Sequence, residues 1–184
     1  MKHTEFIAEL IKTGTEEDVK SIFARHFDLR YDTASRFDLY TPGVLFEFKL
    51  DQKMTQIKVR AAILAQTLYY IHQLKFGVVK KGIPPTICLA DKNEAILTNT
   101  EDWKAFYAEK SGKYDWDLQA SNPDPKLIDD LAKSEALRTL HVYRMQSPQD
   151  FAVFDERVRD AISTNSCQPS FRYIPSPFSQ RAAV

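Results

Sequence analysis

Arg36-Phe-Asp-Leu-Tyr-Thr-Pro-Gly-Val-Leu-Phe-Glu-Phe-Lys-Leu50 is the stretch on which the fold turns. Arg36 to Tyr40 has the composition of a short strand, and Val44 to Leu50 that of a second. Between them Thr41-Pro42-Gly43 predicts a turn, because proline fixes φ and glycine accepts the positive φ that turns need. The pair is a hairpin. Period-two alternation puts Val44, Phe46, Phe48 and Leu50 on one face and Leu45, Glu47 and Lys49 on the other, with Asp38 close by on the partner strand.

Two carboxylates and an ammonium at one strand pair have a chemical use. Hard divalent cations such as Mg²⁺ prefer carboxylate oxygens and retain waters, so Asp38 and Glu47 could hold one metal or two. Lys49 could orient or deprotonate water there, or could stay charged and stabilise a phosphoryl transition state. The plainer alternative is an exposed strand face with a cross-strand ion pair, which contributes little. This stretch resembles the active site of the PD-(D/E)XK nuclease superfamily, in which the aspartate lies at a strand end and E-x-K follows on the next strand of a hairpin. The resemblance implies that Asp38, Glu47 and the backbone carbonyl of Phe48 bind Mg²⁺, with Mn²⁺ able to substitute, and that Lys49 is the catalytic lysine. Phe37 stands where the family's name has proline.

Working outward, Thr4 to Lys12 predicts a short helix ended by Gly14, and Thr15 an N-cap with Glu16, Glu17 and Asp18 in the first turn of the next helix. Val19, Ile22, Phe23 and Phe27 form its apolar stripe, which leaves Glu16 on the inward side. Helix capping accounts for these carboxylates; E-x-x-V-K-x-x-F also resembles the opening of restriction-type members, which implies that Glu16 faces the metal site. After the hairpin, Gln56 to Lys75 reads as the longest helix, apolar nearly all round and therefore set between layers. Gln66 interrupts it, and Tyr70 follows one turn later on the same side. A core glutamine is the bland account. The pair also resembles the Q-x-x-x-Y motif of RecB-like members, which implies that Gln66 reaches toward the lysine and metal cluster.

Lys80-Lys-Gly-Ile-Pro-Pro breaks the chain before a strand over Thr86 to Ala90. Asp91-Lys-Asn93 is a turn into a paired strand over Glu94 to Thr98. A helix from about Thr100 to Lys110, a polar loop over 111–125 that could be an insertion or contact DNA, with Trp116 either a stacking candidate or an ordinary half-buried surface residue, a helix over Lys126 to Ser134, a strand over His141 to Met145 and a helix over Pro148 to Ile162 complete the domain. Helices alternating with strands indicate an α/β chain with a central mixed β-sheet flanked by helices, the restriction-endonuclease-like sandwich that the resemblance implies. One domain is expected over 1–164. The proline-bearing stretch 165–184 reads as a C-terminal linker or tail.

The 184 residues, 43% hydrophobic, suffice for one sizeable core. Net charge is zero, yet Lys49, Lys53, Lys58, Arg60, Lys75, Lys80 and Lys81 face only Asp51 between residues 49 and 81, a basic rim suited to phosphate or a solvated helix face. Two separated cysteines, four scattered histidines, no G-x-S-x-G and no long apolar run argue against a zinc site, a disulfide scaffold, a serine hydrolase and a membrane span, and suggest a reducing cytoplasm. The expectation is a Mg²⁺-dependent endonuclease acting on DNA. The resemblance further implies a restriction–modification context, with a methyltransferase domain C-terminal to this segment; double-strand cleavage by one site per chain would require a homodimer or repeated action. The alternative is a non-catalytic DNA-binding or assembly module that keeps the fold without turnover.

Overall fold

The computed structural model describes residues 1–30, 38–77 and 81–164. Arg36 and Phe37 of the expected first strand, Lys80 of the basic rim and the whole 165–184 tail, with Cys167, lie outside the described residues. In chain order the elements are α1 (His3–Ile11), α2 (Glu16–His26), β1 (Leu39–Tyr40), β2 (Val44–Phe48), α3 (Ile57–Phe76), β3 (Thr86–Ala90), β4 (Glu94–Asn99), a 3₁₀ turn (Thr100–Trp103), α4 (Lys104–Tyr107), α5 (Pro125–Lys133), α6 (Glu135–Arg138), β5 (Tyr143–Arg144) and α7 (Pro148–Thr164).

β2 is buried at every position, so it needs a core on both faces. It pairs antiparallel with β1 and parallel with β3, and the mixed sheet runs β1-β2-β3-β4-β5. On one face Val44, Phe46 and Phe48 join Phe6 and Leu10 of α1, Phe23 of α2 and Phe151 and Phe154 of α7 in one apolar cluster. On the other, Leu45 joins Leu64 and Leu68 of α3 with Trp103, Leu127 and Leu137. The architecture is therefore α/β, with helices on both faces of a five-stranded mixed sheet. Each fully buried phenylalanine contributes about 1.5–3 kcal/mol by leaving water.

Local chemistry sets the helix starts. Thr15 Oγ1 accepts the Asp18 N–H at 3.1 Å while Asp18 Oδ2 accepts the Thr15 N–H at 3.1 Å, a reciprocal cap at the mouth of α2. α3 ends at Gly77, where a Cβ would clash with the Gln73 carbonyl oxygen, so only glycine closes the helix there without displacing backbone.

Several expectations need correction. The Thr41–Val44 turn does not depend on a positive φ at Gly43; the only described glycine with one is Gly112. Thr41 closes the turn instead, its N–H donating to Val44 O at 2.9 Å and its Oγ1 accepting the Val44 N–H at 2.8 Å. The helix expected over 100–110 splits into the 3₁₀ turn and α4, because buried Trp103 donates Nε1–H to Thr98 Oγ1 at 3.0 Å and draws the first turn onto β4. β5 shrinks to the two residues that find partners on β4, and the single turn α6 was too short to show a period.

α1, α2 and α7 share a polar knot inside the phenylalanine cluster. Asp155 Oδ1 accepts from His26 Nε2 at 2.5 Å and Oδ2 from Arg159 Nε at 3.1 Å, with His3 Nε2 also on Oδ2 at 3.2 Å. Burial alone would raise the Asp155 carboxyl, but hydrogen bonds from His26 and Arg159 overcome it and hold the group at about 2. A depressed carboxyl stabilises the fold above its unfolded value and loses that contribution as pH falls through the folded one. Asp155→Asn should lower urea-unfolding stability by about 1–2 kcal/mol at neutral pH, after allowance for screening, with the gap to wild type closing between about pH 4 and pH 2. Coincident unfolding curves at neutral pH would show that the knot contributes nothing.

Candidate active site

The β1–β2 register pairs Leu39 with Phe46 and Tyr40 with Leu45, and continued by one residue it sets Asp38 level with Glu47. Asp38 Oδ2 accepts the Phe48 N–H at 2.8 Å, which holds the aspartate against β2 just beyond the end of β1. Glu47 follows Leu45 onto the α3 face and is 2% exposed. Lys49 Nζ donates to Glu47 Oε1 at 2.7 Å, and Lys49 N–H donates to Ala90 O at 2.9 Å, so the lysine stays aligned with the sheet after β2 ends.

α3 brings Gln66 and Tyr70 to the same place. Burial chiefly raises the Tyr70 phenol above its usual value, Gln66 is a polar neighbour that pulls it down, and the charges of Glu47, Asp38 and Lys49 all act on it. Both residues are half-buried, so α3 is not enclosed all round: it packs on the sheet and beneath α5 and α6 but leaves this side open. Glu16, the first residue of α2, is exposed, and its carboxylate is close enough to act on both Glu47 and Lys49. Asp38, Glu47, Phe48, Lys49, Gln66 and Glu16 are thus gathered at one location, with Glu16 at its edge. Trp116 is elsewhere, stacked on His72 at 4.2 Å between ring centroids and 6° between planes, so that ring face is already covered.

The electrostatics are unusual for a strand face. Burial pushes the Glu47 carboxyl up to about 7; Lys49 pulls it down, while Asp38 and Glu16 push it further up. Burial would lower the Lys49 ammonium, but Glu47, Glu16 and Asp38 outweigh this and raise it above its ordinary value. The site therefore carries more carboxylate than one lysine balances, in a place poor in water. Among the described residues no group of three or more His, Cys, Asp or Glu side chains stands together as a metal-holding set. The expected set is smaller, two carboxylates and one backbone carbonyl.

Residue types and periodicity did not reveal what holds the E-x-K segment against α3. Asp91, fully buried at the β3–β4 turn, accepts N–H bonds from Asn93 at 2.5 Å, Glu94 at 2.7 Å and Gln52 at 2.9 Å. Glu94 Oε2 accepts the Thr55 N–H at 3.1 Å, and buried Arg60 donates to Met54 O at 2.7 Å and Leu137 O at 3.0 Å. Together they pin residues 52–56, the link between Lys49 and α3. An aspartate opening a tight turn was the available signal for Asp91, since its carboxylate can bond backbone two residues on. Its bond to Gln52 is long-range and has no local sign.

No family model matches this chain, and neither a curated protein nor a solved structure does. No helix among the described residues is long and apolar enough to cross a membrane.

An acid whose folded pKa is raised stabilises the fold fully below its unfolded value, and loses that contribution as pH rises through the folded one. The window here runs from the ordinary 4.5 to about 7. Glu47→Gln, which keeps the shape and removes the charge, should therefore be more stable than wild type in chelator at about pH 8, by on the order of 2–3 kcal/mol, and equal to it below about pH 4. Thermal melts across pH check this; a less stable glutamine variant at high pH would mean that Lys49 already balances Glu47.

Proposed function

We propose that this chain hydrolyses phosphodiester bonds of DNA as a Mg²⁺-dependent endonuclease on a restriction-endonuclease-like sandwich. The observation that carries the proposal is the convergence of Asp38 and the Glu47–Lys49 pair with Gln66 and Tyr70 of a separate helix, around a carboxylate that is 2% exposed. A strand face serving only solubility would not bury its glutamate. Parallel pairing of β2 with β3, helices on both sheet faces and the half-open side of α3 are compatible with that class.

The donor set suits a hard divalent cation. Asp38, Glu47 and the Phe48 carbonyl offer oxygen only, and the surplus negative charge that raises Glu47 is what a cation would offset. When bound, its chemistry is to lower the pKa of water and to offset charge on a phosphoryl oxygen. Lys49, held above the usual ammonium range, keeps its proton and donates a hydrogen bond to a phosphoryl oxygen as negative charge builds there. Gln66 orients the cluster, with Tyr70 as its polar neighbour on α3. Glu16 adds negative charge at the rim and biases the site toward cations. The restriction–modification context, with a methyltransferase in the same polypeptide and paired copies for double-strand cleavage, extends the same proposal.

Nicking of supercoiled plasmid with Mg²⁺ or Mn²⁺ tests this directly. Wild type should nick, and Asp38→Ala and Lys49→Ala of matched melting temperature should each lose at least about a hundredfold, the scale of losing an electrostatic stabiliser of the transition state. Gln66→Ala should fall between them and wild type. Equal nicking by all would sink the assignment, and a folded wild type that nicks nothing and binds no Mn²⁺ would favour the module without turnover.

A further inference from the structure

α3 contributes more than Gln66 and Tyr70 to its open side. Helical spacing places Gln66, Tyr69, Gln73 and Phe76 along one stripe about 15 Å long, and all four are half-buried or exposed, Phe76 at 40%. The 20 residues of this helix include Lys58, Arg60 and Lys75 and no Asp or Glu. At the far end of the stripe Lys75 Nζ lies 5.6 Å and Lys110 Nζ 5.2 Å from the Phe76 ring centroid, and neither lysine forms an ion pair among the described residues. On the other side of the site Tyr40, two residues from Asp38 and on the same face, has Lys81 Nζ 5.3 Å from its ring centroid.

An exposed ring and two half-buried ones, flanked by ammonium groups that form no ion pair among the described residues, suit one kind of ligand. Stacking needs exposed base faces, and each base arrives beside a phosphate. A duplex keeps its bases stacked inside and would use the lysines alone. We propose that the stripe from Gln66 to Phe76 is a track for an unpaired polynucleotide strand, with bases stacked on Tyr69 and Phe76 and phosphates against Lys75 and Lys110. The track leads into the Glu47–Lys49 site. As an account of what reaches that site it rests on the phosphodiesterase proposal, whereas strand binding needs no turnover.

Fluorescence anisotropy in chelator, with a labelled thymidine oligonucleotide of about twenty nucleotides and a duplex of the same length, tests the track apart from catalysis. Wild type should bind the single strand at least about tenfold tighter than the duplex, with affinity falling as salt rises. Tyr69→Leu with Phe76→Leu preserves apolar volume while removing both rings, and should weaken single-strand binding about tenfold or more at an unchanged melting temperature. Lys75→Gln with Lys110→Gln should flatten the salt dependence. Tighter duplex binding, or undiminished single-strand binding by the folded leucine variant, overturns the track. Single-strand binding that depends on the rings, in a protein that nicks no plasmid, upholds the track and removes the phosphodiesterase proposal; nicking without ring-dependent binding does the reverse.

Discussion

Parallel pairing of β2 with β3 is the constraint from which the rest of the molecule follows. Parallel neighbours cannot be joined by a tight turn; the chain must cross one face of the sheet to start the second strand in the same direction, and a helix is the usual crossing. Here that crossing is α3, and it lies on the face that Leu45 and Glu47 share. The same crossing that completes the sheet therefore lays Gln66 and Tyr70 over Glu47. A short hairpin between β2 and β3 would have left Glu47 facing solvent, with its partners elsewhere.

Burial on both faces of β2 then determines the electrostatics. Leu45 and Glu47 occupy equivalent positions on the strand, one in the apolar cluster and the other at its margin, so the glutamate enters surroundings chosen by its neighbours. Lys49 remains close because β2 to β3 pairing continues through its N–H, but one ammonium does not balance Glu47, Asp38 and Glu16. Such a charge imbalance costs stability in a resting protein, and sites that bind charged ligands commonly tolerate that cost.

The two apolar cores differ in how they are tied together. The α1–α2–α7 side is rich in phenylalanine and has one buried polar knot at Asp155. The α3 side is fastened by backbone-directed bonds from Asp91, Glu94 and Arg60 to the 52–56 link. Those bonds reach main chain, so they constrain where α3 begins whatever side chains the link carries. The placement of Gln66 relative to Lys49 depends on them as much as on the helix itself.

Much was legible in the chain alone because it rests on short-range rules. Alternation in Val44–Phe48 assigned the faces of β2 and placed Glu47 beside Leu45; the Thr15 and Asp18 pattern marked the start of α2; β3 appears with the bounds expected of it. Tertiary structure alone decided how far Glu47 is buried, since that depends on α3 and its neighbours, and hence that its carboxyl titrates near 7. It also decided that Asp91 holds Gln52 across 39 residues of chain, that Thr41 and not a left-handed Gly43 closes the hairpin turn, and that one side of α3 stays open. Periodicity reports which residues share a face of one element; what packs on that face is set by contacts between elements distant in the chain, and no local pattern encodes them.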